Sequence, residues 1–384
     1  MPSHESYSGA LQRAIEEVVA PGAGEVDATG AFPRKQIAAL ARAGLLGLTV
    51  PAEFGGAGAG LREAASVVRE LGAVCGSTAM VVTMHYAATA ALAATGRKDP
   101  LADIAAGRHL STLAFSESGS RSHFWAPLGT ATLVDRGDEA GDIRLDASKS
   151  WVTSARQADS YVWSSRPLAA PGPLTLWLVP AGAEGLTVSG TFDGLGLRGN
   201  ASAPMTAVDV RVPREAMIGG DGAGLDLALA AVLPVFLICS ASMNAGQLRR
   251  LAEETAAHLR RTELKHLGQS LAQQIQPRAQ LARLRIEADR TWALIEQTID
   301  AVEQGREDAQ LLVLEVKAAA GESAADAADL ALRACGGAAF RKESPVERLF
   351  RDSRAARVMA PTTEALHDFI GRALCGLPLL GDVA

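Results

Sequence analysis

Four cysteines and seven histidines are the groups from which metal or thiol chemistry would have to be built, and their spacing supports neither. Cys75, Cys239, Cys335 and Cys375 stand far apart, without the close pairs that a zinc site or a redox dithiol needs. They read as buried, reduced thiols of a cytoplasmic protein. His85, His123, His258, His266 and His367 are dispersed and no His-Glu-x-x-His occurs, so no metal is expected and the histidines read as surface or satisfied packing residues. Gly55, Gly56, Gly58 and Gly60 do not stand between a strand and a helix as a dinucleotide fingerprint would, and no phosphate loop is present. A nucleotide cofactor would have to be held in another way.

The 384 residues are 48% hydrophobic and 21% charged, enough chain to bury a large core in two or three domains. A net charge of -6 without a block of like charges offers nothing to nucleic acid or to an anionic membrane surface. Met1 to Ala20 carries Glu5, Glu16 and Glu17 and lacks the basic segment and apolar run of a secretory signal, so a cytoplasmic location is expected. The longest apolar stretch, Leu225 to Ala241, contains Asp226 and Pro234 and is shorter than the roughly 20 residues of a membrane helix. It reads as a core helix.

Three periodicities follow one another along the chain. From Leu11 to about Gly107 the apolar spacing is helical, as at Ile37, Leu40, Ala41 and Leu45, with a glycine-rich loop over 53–60. Short runs rich in β-branched or alternating residues then predict strands at Thr130–Val134, Ile143–Leu145, Ser160–Ser164, Leu174–Val179 and Thr206–Val212. Helical spacing returns after Gly224, with Leu281, Leu284, Ala288, Trp292 and Ile295 on one stripe. Segregated classes predict an α+β fold: an N-terminal helical domain over 1–109, a small antiparallel β domain over 110–215 and a C-terminal helical bundle over 216–384.

Six segments, in order, resemble the acyl-CoA dehydrogenase superfamily. Pro51-Ala52-Glu53-Phe54-Gly55-Gly56 is similar to its turn after the second helix, and Ser116-Glu117-Ser118-Gly119-Ser120-Arg121-Ser122-His123 to its Thr-Glu-Pro-Gly-x-Gly-Ser-Asp loop. Lys149-Ser150-Trp151-Val152-Thr153 with Ala158-Asp159 resembles Lys-x-Trp-Ile-Thr, and Gly194 to Asn200 with Val210-Arg211-Val212-Pro213 resembles the next turn and strand end. Cys335-Gly336-Gly337 and then Pro345-Val346-Glu347-Arg348 with Arg351-Asp352 resemble its Gly-Gly motif and the helix behind it.

The resemblance implies a flavoprotein that binds FAD, with FMN as the alternative, in a fold of that family. It places the flavin ring against Phe115, Ser116, Ser122, Trp151, Val152 and Thr153, where backbone N–H groups of a Ser- and Gly-rich loop can approach a reduced ring closely. It places the dinucleotide tail against Thr362 and Thr363 and, across a dimer interface, against Lys265, Arg333, Gly336 and Gly337. Lys265 replaces the family's bidentate arginine by a point charge. A homodimer or homotetramer is implied, with a heteromer as an alternative.

The substrate side departs from the family. Its usual Tyr-Glu-Gly-Thr is Met359-Ala360-Pro361-Thr362 here, and Ala360 cannot accept the proton that thioester dehydrogenation must remove. The earlier helix that carries the base in some members matches 233–246, which holds no Asp or Glu. Glu364, one helical turn beyond Ala360, is the remaining catalytic candidate, and Ser122, His123, Arg198 and Met359 are the substrate-side candidates. Three functions stay open: dehydrogenation of an acyl thioester, placed first, reduced-flavin-dependent monooxygenation of a small aromatic or heteroatom substrate, and a silent subunit of a heteromeric flavoprotein. For the second, Ser116, Ser122 and His123 are candidate donors in a dry pocket.

Overall fold

The computed structural model describes residues 4–120, 123–134 and 141–380, in the order helices, strands, helices. The N-terminal part holds α1 (His4–Ala14), a π-helical turn, α2 (Ala20–Thr29), α3 (Arg34–Arg42), α4 (Leu61–Val74), α5 (Gly76–Ala94) and α6 (Lys98–Ala105). Helix α4 starts where Glu63 accepts the Gly60 N–H at 2.9 Å, and it buries Ala64, Ala65, Val67, Val68 and Leu71, an apolar face at helical spacing. Helix α5 is buried almost all round, and its two ring-bearing polar residues are paired internally, while the Thr83 and Thr89 hydroxyls have no partner among the described residues. Tyr86 donates to the Leu45 carbonyl at 2.7 Å, and the ring nitrogens of His85 bridge the Ser111 N–H and the Leu46 carbonyl at 3.1 Å each. Burial lowers the His85 pKa to about 4, which keeps the ring neutral.

The middle part is two four-stranded sheets built from β1 (Ser111–Ala114), β2 (Thr130–Leu133), β3 (Ile143–Val152), β4 (Ser160–Ser165), β5 (Thr175–Pro180), β6 (Leu186–Val188), β7 (Ala203–Val212) and β8 (Met217–Ile218). One sheet runs β1-β4-β5-β8 and the other β2-β3-β7-β6. Pairing is antiparallel except between β1 and β4, where Ser111 to Ala114 lie parallel to Ser160 to Trp163. That one parallel pair is possible because the chain visits the other sheet between those strands, which supplies the long crossover that parallel pairing requires. Strand β3 also runs on to Val152, past the expected end at Leu145. Tyr161, Trp163, Trp177, Met205 and Val210 belong to the domain's buried core.

The C-terminal part begins with α7 (Gly224–Leu227), which continues through a π-helical turn into α8 (Leu233–Arg261). A hairpin of β9 (Glu263–Leu264) and β10 (Gln269–Ser270) leads to α9 (Ile275–Glu303), α10 (Ala309–Cys335), α11 (Pro345–Ser353), α12 (Ala355–Val358) and α13 (Thr363–Leu374). The continuous helix Gly224–Arg261 is long and apolar enough to cross a membrane, yet half of its most apolar window is buried inside the protein. Close approach explains part of that burial. A Cβ on Gly72 would strike the Met243 backbone and one on Gly246 the Arg69 carbonyl, so α4 and α8 touch at glycines. Cys75, Cys239 and Cys335 are buried as expected, whereas Cys375, just past the end of α13, is exposed.

Candidate active site

A small cleft opens where the middle domain meets the two helical parts. Leu113 and the β1 exit residues Phe115 and Ser116, together with Phe124, Ser150 and Trp151, line it from the middle domain. Met84 of α5, Ala228, Val232, Leu233 and Phe236 of the α7–α8 helix, and Ala360 with Pro361 complete it. Among the described residues that line the cleft, none carries a titratable side chain. The only side-chain polar groups they bring are the hydroxyls of Ser116 and Ser150 and the indole N–H of Trp151.

Trp151 is 68% exposed although it is a large aromatic, and its backbone takes φ 56°, a left-handed conformation that costs a non-glycine residue energy. Phe192 meets the indole edge-on, with ring centroids 6.3 Å apart. A flat aromatic face held open beside an apolar cleft is a surface onto which another flat ring can pack.

The loop that brings in Ser116 is held by a buried ion pair. Lys149 Nζ lies 2.6 Å from Glu117 Oε1 and also donates to the carbonyl and hydroxyl of Ser164, at 2.7 and 2.8 Å. Glu117 accepts the Gly129 N–H at 3.1 Å and the Leu128 N–H as well. Burial pulls the Lys149 pKa down to about 8 and the Glu117 charge opposes the shift. The Ser150 N–H donates to the Ser116 carbonyl at 2.9 Å, so the loop and β3 present their serines together.

A second polar junction ties the three parts of the chain to one another. Arg351 makes a bidentate pair with Asp27 at 2.8 and 2.6 Å, a second with Glu347 at 2.7 and 2.8 Å, and donates to the Leu195 carbonyl at 3.2 Å. Asp352 accepts the Leu197 N–H at 2.7 Å, and its complete burial raises the carboxyl pKa to about 6. α2, the turn after β6 and α11 meet here.

Sequence models of the acyl-CoA dehydrogenase N-terminal, middle and C-terminal domains match residues 1–100, 112–210 and 222–375 in turn. The chain belongs to the acyl-CoA dehydrogenase family. It is 27% identical over 369 residues to the probable acyl-CoA dehydrogenase YngJ of Bacillus subtilis, covering 93% of each chain. Butyryl-CoA dehydrogenase from Megasphaera elsdenii has the same fold at a TM-score of 0.89 and 20% identity, over 98% of this chain and 99% of that one. PigA in complex with FAD follows at 0.87 and 20%, over 97% of each.

The residues singled out by the family resemblance fall into three groups. Phe115, Ser116 and Trp151 meet at the cleft. Val152 and Thr153 are buried behind it, with the Thr153 hydroxyl 3.2 Å from that of Ser202. Thr362 caps α13 by accepting the Ala365 N–H at 3.3 Å, and the buried Thr363 hydroxyl has no partner among the described residues. Lys265 lies in the β9–β10 hairpin, and Gly336 and Gly337 border open space just after α10, none of them on the cleft. Ser122 lies outside the described residues.

Five assignments change. Glu364 does not reach the cleft: its side chain is exposed in the first turn of α13, where an acid complements the helix dipole. Arg198 braces the domain junction instead of waiting for substrate, donating to the Asp27 carbonyl at 2.9 Å and to Asp193 at 3.1 Å. Arg333 is not a free cation, because Asp329 pairs with it at 3.0 Å one turn earlier. His123 points its Nδ1 back to the Ser120 carbonyl at 3.0 Å and packs on Trp125, beside the cleft-lining Phe124 but outside the lining itself. Met359 is half-buried and offers its carbonyl, not its side chain, to the site's support.

Sequence reasoning passed over Met84, Leu113, Phe124 and the α8 residues Leu233 and Phe236, since apolar residues at helical or strand spacing read as core. It also passed over Lys317. A lysine within the run Leu311 to Ala320 was the available signal.

The residues present fit a flavin. An open indole face, two serine hydroxyls beside it and an apolar surround suit a planar aromatic ring.

Proposed function

We propose that this chain is an FAD-dependent oxidoreductase that works without a side-chain base, as a reduced-flavin-dependent monooxygenase of a neutral small aromatic or heteroatom-bearing substrate. The carrying observation is that no titratable side chain is found among the described residues lining the cleft. Dehydrogenation of a thioester needs a group to take the carbon-2 proton, and neither Ala360 nor Pro361 can do so. Oxygen transfer needs none: one atom of O2 joins the substrate, the other leaves as water, and both electrons come from reduced flavin. Bound FAD would supply that two-electron store and the site of oxygen activation. PigA, with the same fold, is known with FAD bound.

In this reading Trp151 packs against the ring, and the hydroxyls of Ser116 and Ser150 donate at its edge. Met84, Val232, Leu233 and Phe236 keep water out, which protects a reactive reduced cofactor from wasteful breakdown. The working form is an oligomer. Leu267, Ile275, Phe340 and Leu374 are exposed on the C-terminal part, where a second subunit would cover them, and Phe340 follows Gly336 and Gly337 closely.

Thioester dehydrogenation, placed first on sequence, becomes the second reading, favoured by matches to all three acyl-CoA dehydrogenase domains and by relatives such as YngJ. A silent subunit is the reading if no flavin binds. The deciding experiment reduces the FAD-loaded protein without air, adds isotopically labelled O2 with a panel of neutral aromatics, amines and thioethers, and weighs the products. One labelled oxygen in a product supports oxygenation. Unlabelled products throughout, with the oxidised flavin bleached by an acyl thioester in a separate anaerobic addition, would replace it by dehydrogenation.

A further inference from the structure

Lys317 is fully enclosed in α10 between Val316 and Ala318, and none of the chemistry above uses it. Its Nζ donates to three backbone carbonyls: Ala356 at 3.1 Å, Met359 at 3.1 Å and Pro361 at 2.8 Å. An ammonium carries three N–H bonds, and here each has its own acceptor. The acceptors span α12 and the short segment that carries Ala360 and Pro361 into the cleft before Thr362 starts α13.

A lone buried ammonium is a costly way to fill space, and an apolar side chain would pack among helices at less expense. What an apolar residue could not do is hold three carbonyls of a non-helical segment at one point. We propose that Lys317 is the positioning residue of the cleft, fixing the Met359–Pro361 segment so that Ala360 and Pro361 form its wall. Burial lowers the Lys317 pKa to about 7 and the charge of Glu364 on α13 opposes that shift, while the three carbonyls are acceptors for the ammonium form. Its link to flavin rests on the cleft being the flavin's, whereas the positioning of the segment does not, and both hold for oxygenation and dehydrogenation alike.

The test compares Lys317→Met, which has no donor, with Lys317→Gln, which keeps two N–H bonds, by hydrogen exchange resolved along the chain and by flavin binding. The expected result is exchange over 355–366 faster by about tenfold or more in Lys317→Met and by less in Lys317→Gln, with α4 and α8 unchanged. The absorption band of bound flavin shifts in the same order. Acceleration spread evenly over the whole chain, no change over 355–366, or failure of both variants to fold would each overturn the positioning role and leave Lys317 a general stabiliser. Exchange is read without flavin, so a wild-type protein that binds none would sink the functional reading while this result still stands or falls by itself.

Discussion

Glu117 and Lys149 meet at 2.6 Å with neither side chain open to solvent, and each is the immediate chain neighbour of a cleft residue, Ser116 and Ser150. The pair therefore sets the relative position of the two serines. Lys149→Met would strand the Glu117 carboxylate in the interior, for which a loss of roughly 3–5 kcal/mol is expected. Glu117→Gln should cost less, because its side-chain oxygen still accepts from Gly129 and Lys149 still has Ser164. Denaturant unfolding of both variants checks the order. A Lys149→Met loss below about 1 kcal/mol would show that the pair is dispensable.

Asp352 gives a pH dependence of a definite sign. Its folded pKa of about 6 lies above the ordinary 3.8, so between those values the folded protein holds a proton that the unfolded chain has released. Stability from this group is therefore lost as pH rises from 4 through 6 and regained on acidification, by up to about 3 kcal/mol. Other carboxylates act in the opposite direction. The quantity to measure is the stability difference between wild type and Asp352→Asn at pH 4.5 and pH 7, which should shift towards the variant at the higher pH; a constant difference would contradict the raised pKa.

Trp151 separates binding from folding. With 68% of its surface exposed and a left-handed backbone, it contributes little to the core, so Trp151→Ala should leave unfolding within about 0.5 kcal/mol of wild type. Flavin content should nevertheless collapse. Retained flavin with an unchanged spectrum would put the ring elsewhere.

The order of helices, sheet and helices was legible because each part keeps its own periodicity over many residues. The partners that give single polar residues their roles were not, because they lie far away in sequence. Lys149 reads as a strand-end charge until Glu117, 32 residues earlier, is brought against it. Arg198 and Arg351 read as ligand or helix charges, yet both close on Asp27, 171 and 324 residues away. Lys317 finds its three acceptors only through the packing of α10 against the segment before α13. The parallel pairing of β1 with β4 is likewise a matter of topology, not of strand pattern. The departure at Ala360 was visible in the sequence because it is a change of residue type at one point of a motif, and the structure puts that alanine on the cleft.

The most direct test of a cleft without a base is an anaerobic titration of FAD-loaded wild type and Ala360→Glu with a panel of acyl-CoA thioesters, following the oxidised flavin band. The account predicts no bleaching of the wild type by any thioester, and bleaching of Ala360→Glu by at least one, since the substitution places a carboxylate in the cleft wall. Rapid bleaching of the wild type would contradict it and show that a proton acceptor reaches the substrate from outside the described lining.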